Sequence, residues 1–202
     1  MSDFYQNGII TNLHNLRVQD TESLEAELLA FSKVRPMGLV LPSLYSELLS
    51  PALGNIVEEL KEVKYLQQIV VGLDLATKYE YKDALNYFSK LPQNHVVLWN
   101  DGPRLKALDK KLHKLKLAPK EMGKGRNVWY CFGYILAANK VESVALHDCD
   151  IVTYTRDMLA RLIYPVANPG FNYQFCKGYY SRVSTNKING RVCRLLVTPL
   201  IL

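Results

Sequence analysis

"GKGRNVWYCFGYILAANKVESVALHDCDIV", residues Gly123 to Val152, opens on two glycines bracketing a lysine and closes on an apolar run that stops at two aspartates one residue apart. Between these ends, the residues from about Lys124 to Asn139 read as helix, and "SVALHD" reads as a short buried strand. A helix leading into a buried strand is one unit of an α/β fold. In such folds ligands bind beyond the carboxyl ends of the strands. Lys124 at the helix start and Asp148 and Asp150 at the strand end are therefore candidates to converge on one phosphorylated, metal-bound ligand. The plain alternative is a surface turn, a core helix and a polar strand end.

Upstream, the same alternation repeats. Thr21 is placed to cap a helix whose apolar stripe is Leu24, Leu28, Leu29 and Phe31. "MGLVLP" reads as a strand ended by Pro42, and "LYSELLSPALGNIVEELKEV" as helix, interrupted or restarted near Pro51. "LQQIVVGLDL" is a second strand, "YKDALNYFSKL" a helix, and "HVVLWND" a third strand closed by Asp101, Gly102 and Pro103. The strands are continuous apolar runs, the signature of a mostly parallel sheet covered on both faces. The polar residues just after them, Ser43, Glu47, Asp74, Asp101, Asp148 and Asp150, are the ones to examine.

The chain has 202 residues, 49% hydrophobic and 22% charged, ordinary values for a globular protein. No apolar run reaches membrane-spanning length and the first residues carry no basic stretch before an apolar core, so neither a signal peptide nor a membrane association is expected. The four cysteines form no C-x-x-C pair, which argues against zinc and for free thiols in a reducing cytoplasm. The net charge of +6 is uneven. Arg104 to Arg126 holds nine basic residues against Asp109 and Glu121, and no acid follows Asp157, whereas Arg161, Lys177, Arg182, Lys187, Arg191 and Arg194 do. Such a field draws anions, whether nucleic acid or phosphorylated metabolites. For "LKALDKKLHKLKLAPK" a solvated helix face is the expected reading.

Two carboxylates at i and i+2 of an extended segment point to one side and can share a hard divalent cation. Lys124 in G-K-G, at a predicted helix start, offers a point charge where the backbone already favours anions. It is not a Walker loop, because the spacer and the following Ser/Thr are missing. Ser43 can hydrogen-bond a ring or cap a helix, and Glu47 can reach a ribose or lie on a helix surface. His147 is expected to pack away from the acidic pair. No nucleophile signature is present.

Taken in order, strand–P-S-L-Y-S-E, strand–Asp74, strand–Asp101, G-K-G-R, D-C-D, "FCKGYYSR" and "GRVCRLLVTPLI" resemble the retaining GT-A glycosyltransferases of the glucosyl-3-phosphoglycerate synthase family. The resemblance implies a GT-A, Rossmann-like sheet flanked by helices. It implies an N-terminal helical segment at 1–35 and a nucleotide-sugar-binding domain at 36–202. It further implies a metal-binding histidine and acceptor contacts downstream of Leu202, so that the chain is expected to be cut short and inactive by itself. The implied reaction moves a hexose, glucose first, from UDP-glucose to a small anionic hydroxy acid such as 3-phosphoglycerate, with Mg²⁺ or Mn²⁺. Pro42, Ser43, Leu44 and Glu47 would cradle uracil and ribose, Asp74 would stand near the nucleotide and Lys124 would contact it. Asp148 and Asp150 would hold ribose and metal, Asp150 the closer to the metal. Gly190 and Arg191 would bind the acceptor, beside Cys193, which replaces a threonine of the family. The alternatives are a sugar nucleotidyltransferase, whose glycine-rich loop should follow the first strand, and a non-enzymatic basic nucleic-acid-binding module. Homo-oligomer formation stays open.

Overall fold

Four parallel strands, β1 (Met37–Leu44), β2 (Leu66–Asp74), β3 (His95–Trp99) and β4 (Ser143–Leu146), form a sheet in the order β3-β2-β1-β4 in the computed structural model. The structure describes residues 20–178, 182–184 and 187–189. The helices are α1 (Thr21–Phe31), α2 (Pro51–Lys61), α3 (Lys78–Phe88), α4 (Pro103–Lys114), α5 (Lys124–Ala138) and α6 (Arg156–Ala167), with a 3₁₀ turn at Tyr45–Leu49. Residues Asp20–Cys176 make one compact unit, α1 included. Two further strands, β5 (Arg182–Ser184) and β6 (Lys187–Asn189), pair antiparallel with each other in a separate unit.

Apolar residues cover both faces of the sheet, as the continuous hydrophobic strands require. Leu39 and Leu41 of β1 and Ile69, Val71 and Leu73 of β2 enter the larger core, which takes the buried stripes of α1, α2, α3 and α6. Val40 and Val70 face the other way, onto Cys131 and Ile135 of α5. Strand periodicity of two thus sorts one run of aliphatic residues into two cores.

The structure departs from the sequence expectations in β1, α1 and β4, and α3 begins at Lys78, ahead of the Tyr81 start read from the sequence. β1 does not end at Pro42 but runs to Leu44. Val40 O accepts the amide of His147, so alternate residues of β1, Pro42 among them, face β4. Pairing with β4 stops at Val40, opposite Leu146, so the N–H that proline lacks falls where that ladder has ended, while pairing with β2 continues to Leu44 opposite Asp74. At α1 the N-cap is Asp20, not Thr21. Thr21 is already helical and its Oγ1 donates to Asp157 Oδ1 at 3.1 Å, tying α1 to α6. Leu29 lies off the stripe set by Leu24, Leu28 and Phe31 and is exposed. Finally, β4 stops at Leu146, leaving His147 and the acidic pair outside the strand.

Helix starts follow local chemistry. Ser50 caps α2, its Oγ accepting Ala52 N at 3.2 Å, with Pro51 at the first helical position. Ser50→Ala should cost about 1 kcal/mol of unfolding free energy, read as a lower urea midpoint at unchanged slope. An unaltered midpoint would show that Pro51 alone sets the start of α2. Thr77 and Glu80 form a reciprocal box at α3, with Thr77 N donating to Glu80 Oε2 at 2.6 Å and Glu80 N to Thr77 Oγ1 at 3.4 Å. α5 begins after Gly123, whose φ of +125° only glycine adopts readily.

Candidate functional site

The strand order β3-β2-β1-β4 reverses direction at β1: the chain steps outward to β2 and β3, then crosses back to lay β4 on the other side of β1. The crevice beyond the carboxyl ends of β1 and β4 is the place where open α/β sheets bind ligands. On the β1 side lie buried Pro42, Ser43 (2% exposed) and exposed Leu44. Glu47 bends back from the 3₁₀ turn, and its Oε2 accepts Leu44 N at 2.8 Å. Its carboxylate therefore shapes the strand exit and sits at the mouth of the crevice.

On the β4 side, His147 is buried, its ring edge-on to Tyr154 at 5.3 Å and 73°. Burial pushes its pKa down to about 4, so it packs as a neutral ring, as the sequence suggested. The D-C-D triplet does not lie on an extended strand. Cys149 and Asp150 are in a turn, and the premise that strand alternation aligns the carboxylates fails because β4 is only four residues long. The turn nevertheless buries Cys149 and leaves Asp148 half-exposed and Asp150 exposed, so both carboxylates flank a buried thiol. Burial pushes that thiol's pKa up, and the Ser43 hydroxyl beside it links the end of β1 to the triplet.

The start of α5 supplies the cations. Lys124 Nζ hydrogen-bonds Asp148 Oδ1, bringing together the two ends of the Gly123–Val152 segment. Two residues on, Arg126 Nη2 lies 3.4 Å from Asp74 Oδ1 at the end of β2. Both partners are largely buried, with side chains 12% and 6% exposed, so this pair is part of the scaffold behind the crevice. Burial raises the pKa of Asp74, against the pull of Asn100 and Arg126. Asn100 is itself buried, and its side chain favours the charged form of Asp74. Beyond Asp74 the backbone is pinned at both polar atoms of Ala76: its N–H donates to Asp101 Oδ2 at 3.1 Å and its carbonyl accepts Trp99 Nε1 at 2.7 Å.

Leu44 and Glu47 are joined by one hydrogen bond and Lys124 and Asp148 by another, Cys149 feels charges from both sides, and Asp150 follows on the same turn. Asp74 stands opposite Leu44 at the same end of the sheet and is paired with Arg126. Arg126, Asn100 and Asn127 were missed by the sequence reading, although Arg126 belongs to the quoted G-K-G-R. Gly190, Arg191 and Cys193 lie outside the described residues. Among the described residues no three His, Cys, Asp or Glu side chains cluster as a metal site. Asp148 and Asp150 stand one residue apart at the turn, and carboxylate oxygens are the donors that hard divalent cations take. The basic residues of α4 are exposed, and no side chain of that helix is buried. No described helix is long and apolar enough to cross a membrane.

This sheet, with its crevice and helix cover, defines a GT-A-type α/β domain. The same fold occurs in glucosyl-3-phosphoglycerate synthase from Mycobacterium tuberculosis. Its complex with Mn²⁺, UDP-glucose and phosphoglyceric acid superposes with a TM-score of 0.55 at 21% identity, over 88% of this chain and 52% of that one. Its UDP complex gives 0.53 at 18% identity over 94% and 55%. In sequence the chain resembles the glucosyl-3-phosphoglycerate synthases along its whole length. It is 48% identical to that of Persephonella marina over 201 residues, all of this chain and 50% of the relative. It is 38% identical to that of Methanococcoides burtonii over 203 residues, 98% of this chain and 49% of the relative. The chain thus spans about half the length of the curated relatives it matches. No family model matches it.

Proposed function

We propose that the chain is the donor-binding part of a retaining, metal-dependent glycosyltransferase that moves glucose from UDP-glucose to a small anionic hydroxy acid such as 3-phosphoglycerate. The observation that carries this reading is the convergence of Lys124 with Asp148, beside Asp150, at the β1/β4 crevice of a GT-A-type sheet. The 48% identity to a glucosyl-3-phosphoglycerate synthase supports the choice of donor and acceptor. Cytoplasmic location goes with this reading, because UDP-glucose and phosphoglycerate are cytoplasmic metabolites.

The chain's own groups divide the work. Ser43, Leu44 and the Glu47-braced strand exit form the wall against which the nucleoside lies, with Pro42 stiffening it. Asp148 and Asp150 hold Mg²⁺ or Mn²⁺ through carboxylate oxygens, which suit these hard cations. When bound, the cation supplies Lewis-acid neutralisation of the charge that develops on the leaving diphosphate. Lys124 adds a positive charge at the N-terminus of α5, where the helix dipole already favours an anion. Arg126 neutralises Asp74 behind the crevice, so the site does not present an extra uncompensated carboxylate to the diphosphate. Gly190, Arg191 and Cys193 belong to acceptor binding in this reading, in a stretch free of acidic residues.

Binding is tested first. UDP-glucose with Mn²⁺ should raise the unfolding free energy by about 2.7 kcal/mol at a hundred times the dissociation constant, and EDTA should remove most of the gain. A single-stranded oligonucleotide should give no comparable shift. Stabilisation by the oligonucleotide alone would replace this reading with the nucleic-acid one.

A further inference from the structure

The first turn of α5 carries both cations of the site, yet its local sequence is poorly suited to hold them still. Gly123 and Gly125 flank Lys124, and glycine is the weakest helix former after proline. The N-cap offers no side-chain hydrogen bond and the first turn contains no acidic residue. A β-carbon at either glycine would meet nothing within 4 Å, so packing does not immobilise them either.

One side chain makes up for this. Asn127 is 2% exposed, and its Nδ2 donates to the carbonyl of Gly72 in β2 at 2.8 Å. Its Oδ1 accepts from Cys131 Sγ at 3.5 Å, and its backbone N–H closes the turn on Gly123 O at 3.1 Å. The fit is close enough to dictate the residue opposite: a β-carbon on Gly72 would stand 1.7 Å from Asn127 Oδ1 and 2.6 Å from Cys131 Sγ. Lys124, reaching Asp148, and Arg126, reaching Asp74, lie in the turn that this bolt fixes to the sheet.

We infer that Asn127 is a positioning residue of the donor site: by bolting the first turn of α5 to Gly72, it holds Lys124 over the β1/β4 crevice. This rests on the donor-binding reading above, but its structural half can be tested without nucleotide. A buried polar residue of purely structural use would affect stability alone. A positioning residue affects ligand affinity through the group it places, and the two effects can be separated.

The experiment uses four variants of the chain: Asn127→Ala, Lys124→Ala, both together, and Asn127→Leu, which refills the space with an apolar side chain of similar size but restores no hydrogen bond to Gly72. Calorimetry with UDP and Mn²⁺ should show Asn127→Ala weakening binding about tenfold in the parent and scarcely at all once Lys124 is alanine. The Asn127→Leu variant should recover melting temperature relative to Asn127→Ala while keeping the weakened affinity. Independent, multiplying losses of affinity, or an affinity that recovers together with the melting temperature, overturns the proposal. Hydrogen exchange without ligand gives the second readout. Asn127→Ala should speed exchange in the first turn of α5 more than in its second half, and an unchanged ratio also overturns the proposal. Absence of UDP binding by the parent chain, with exchange changed as expected, would instead count against the donor reading alone.

Discussion

Asp150→Ala should reduce divalent-dependent UDP binding by on the order of a hundredfold or more, which corresponds to about 3 kcal/mol. It should leave the unfolding midpoint without ligand nearly unchanged. The asymmetry follows from exposure. Asp150 is exposed and its side chain makes no hydrogen bond or ion pair among the described residues, so its removal costs the fold little. A cation shared by two carboxylates, however, loses half of its protein ligands. Asp148→Ala should be equally severe for metal-dependent binding, but it also frees Lys124. Metal-independent binding of UDP should therefore survive better in Asp148→Ala than in Asp148→Ala with Lys124→Ala. Titrations with Mn²⁺ and with EDTA separate these cases. Equal metal dependence in Asp150→Ala and the parent would remove Asp150 from the metal site.

Phe88→Ala should be the costliest of the stability variants, at about 3–5 kcal/mol, a large share of the ~5–15 kcal/mol that holds a typical domain together. Phe88 is 0% exposed, at the end of α3, in the larger core, and edge-on to Tyr87 at 5.2 Å. Truncation leaves a void under the sheet that neighbours in regular strands and helices cannot collapse to fill. Leu85→Ala, three residues earlier and 42% exposed, is the control. Its midpoint in urea should move less than half as far. Equal shifts would mean that α3 contributes by helix propensity rather than through its buried end.

The strands and helices were legible because buried parallel strands announce themselves as runs such as "IVVGL" and because Pro51 marks a helix start locally, whereas the cap at Thr77 was passed over and α3 was read from Tyr81. The sheet's cover on both faces followed from the same runs. What was not legible depended on partners far apart in the chain. Pro42 reads as a terminator until the end of the β4 ladder is known to lie before it. The length of β4 was overread because His147 still gives its amide to Val40 O and buries its ring on Tyr154, while the chain already turns at Cys149. In the site, Lys124, Asp148 and Asp150 stood out by residue type and position. Arg126 with Asp74, and Asn127 with Gly72, did not, since an arginine and an asparagine early in a helix carry no local sign of what they meet in β2. Gly72 is half of a pattern whose other half lies 55 residues away.

The place of β1 in the sheet also bears on how the molecule comes into being. β1 pairs with β2 soon after both are made, but its other edge pairs with β4, more than a hundred residues downstream. Parallel pairing over such a separation is slow, because a long loop must close before any contact is gained. During synthesis the wall made by Ser43 and Glu47 can therefore exist early, while the acidic turn joins it only after β4 has left the ribosome. Until then the edge of β1 is an open template for another strand. The substitutions most harmful to yield in a cell should accordingly fall in β4 and α5, even where they cost the finished protein little.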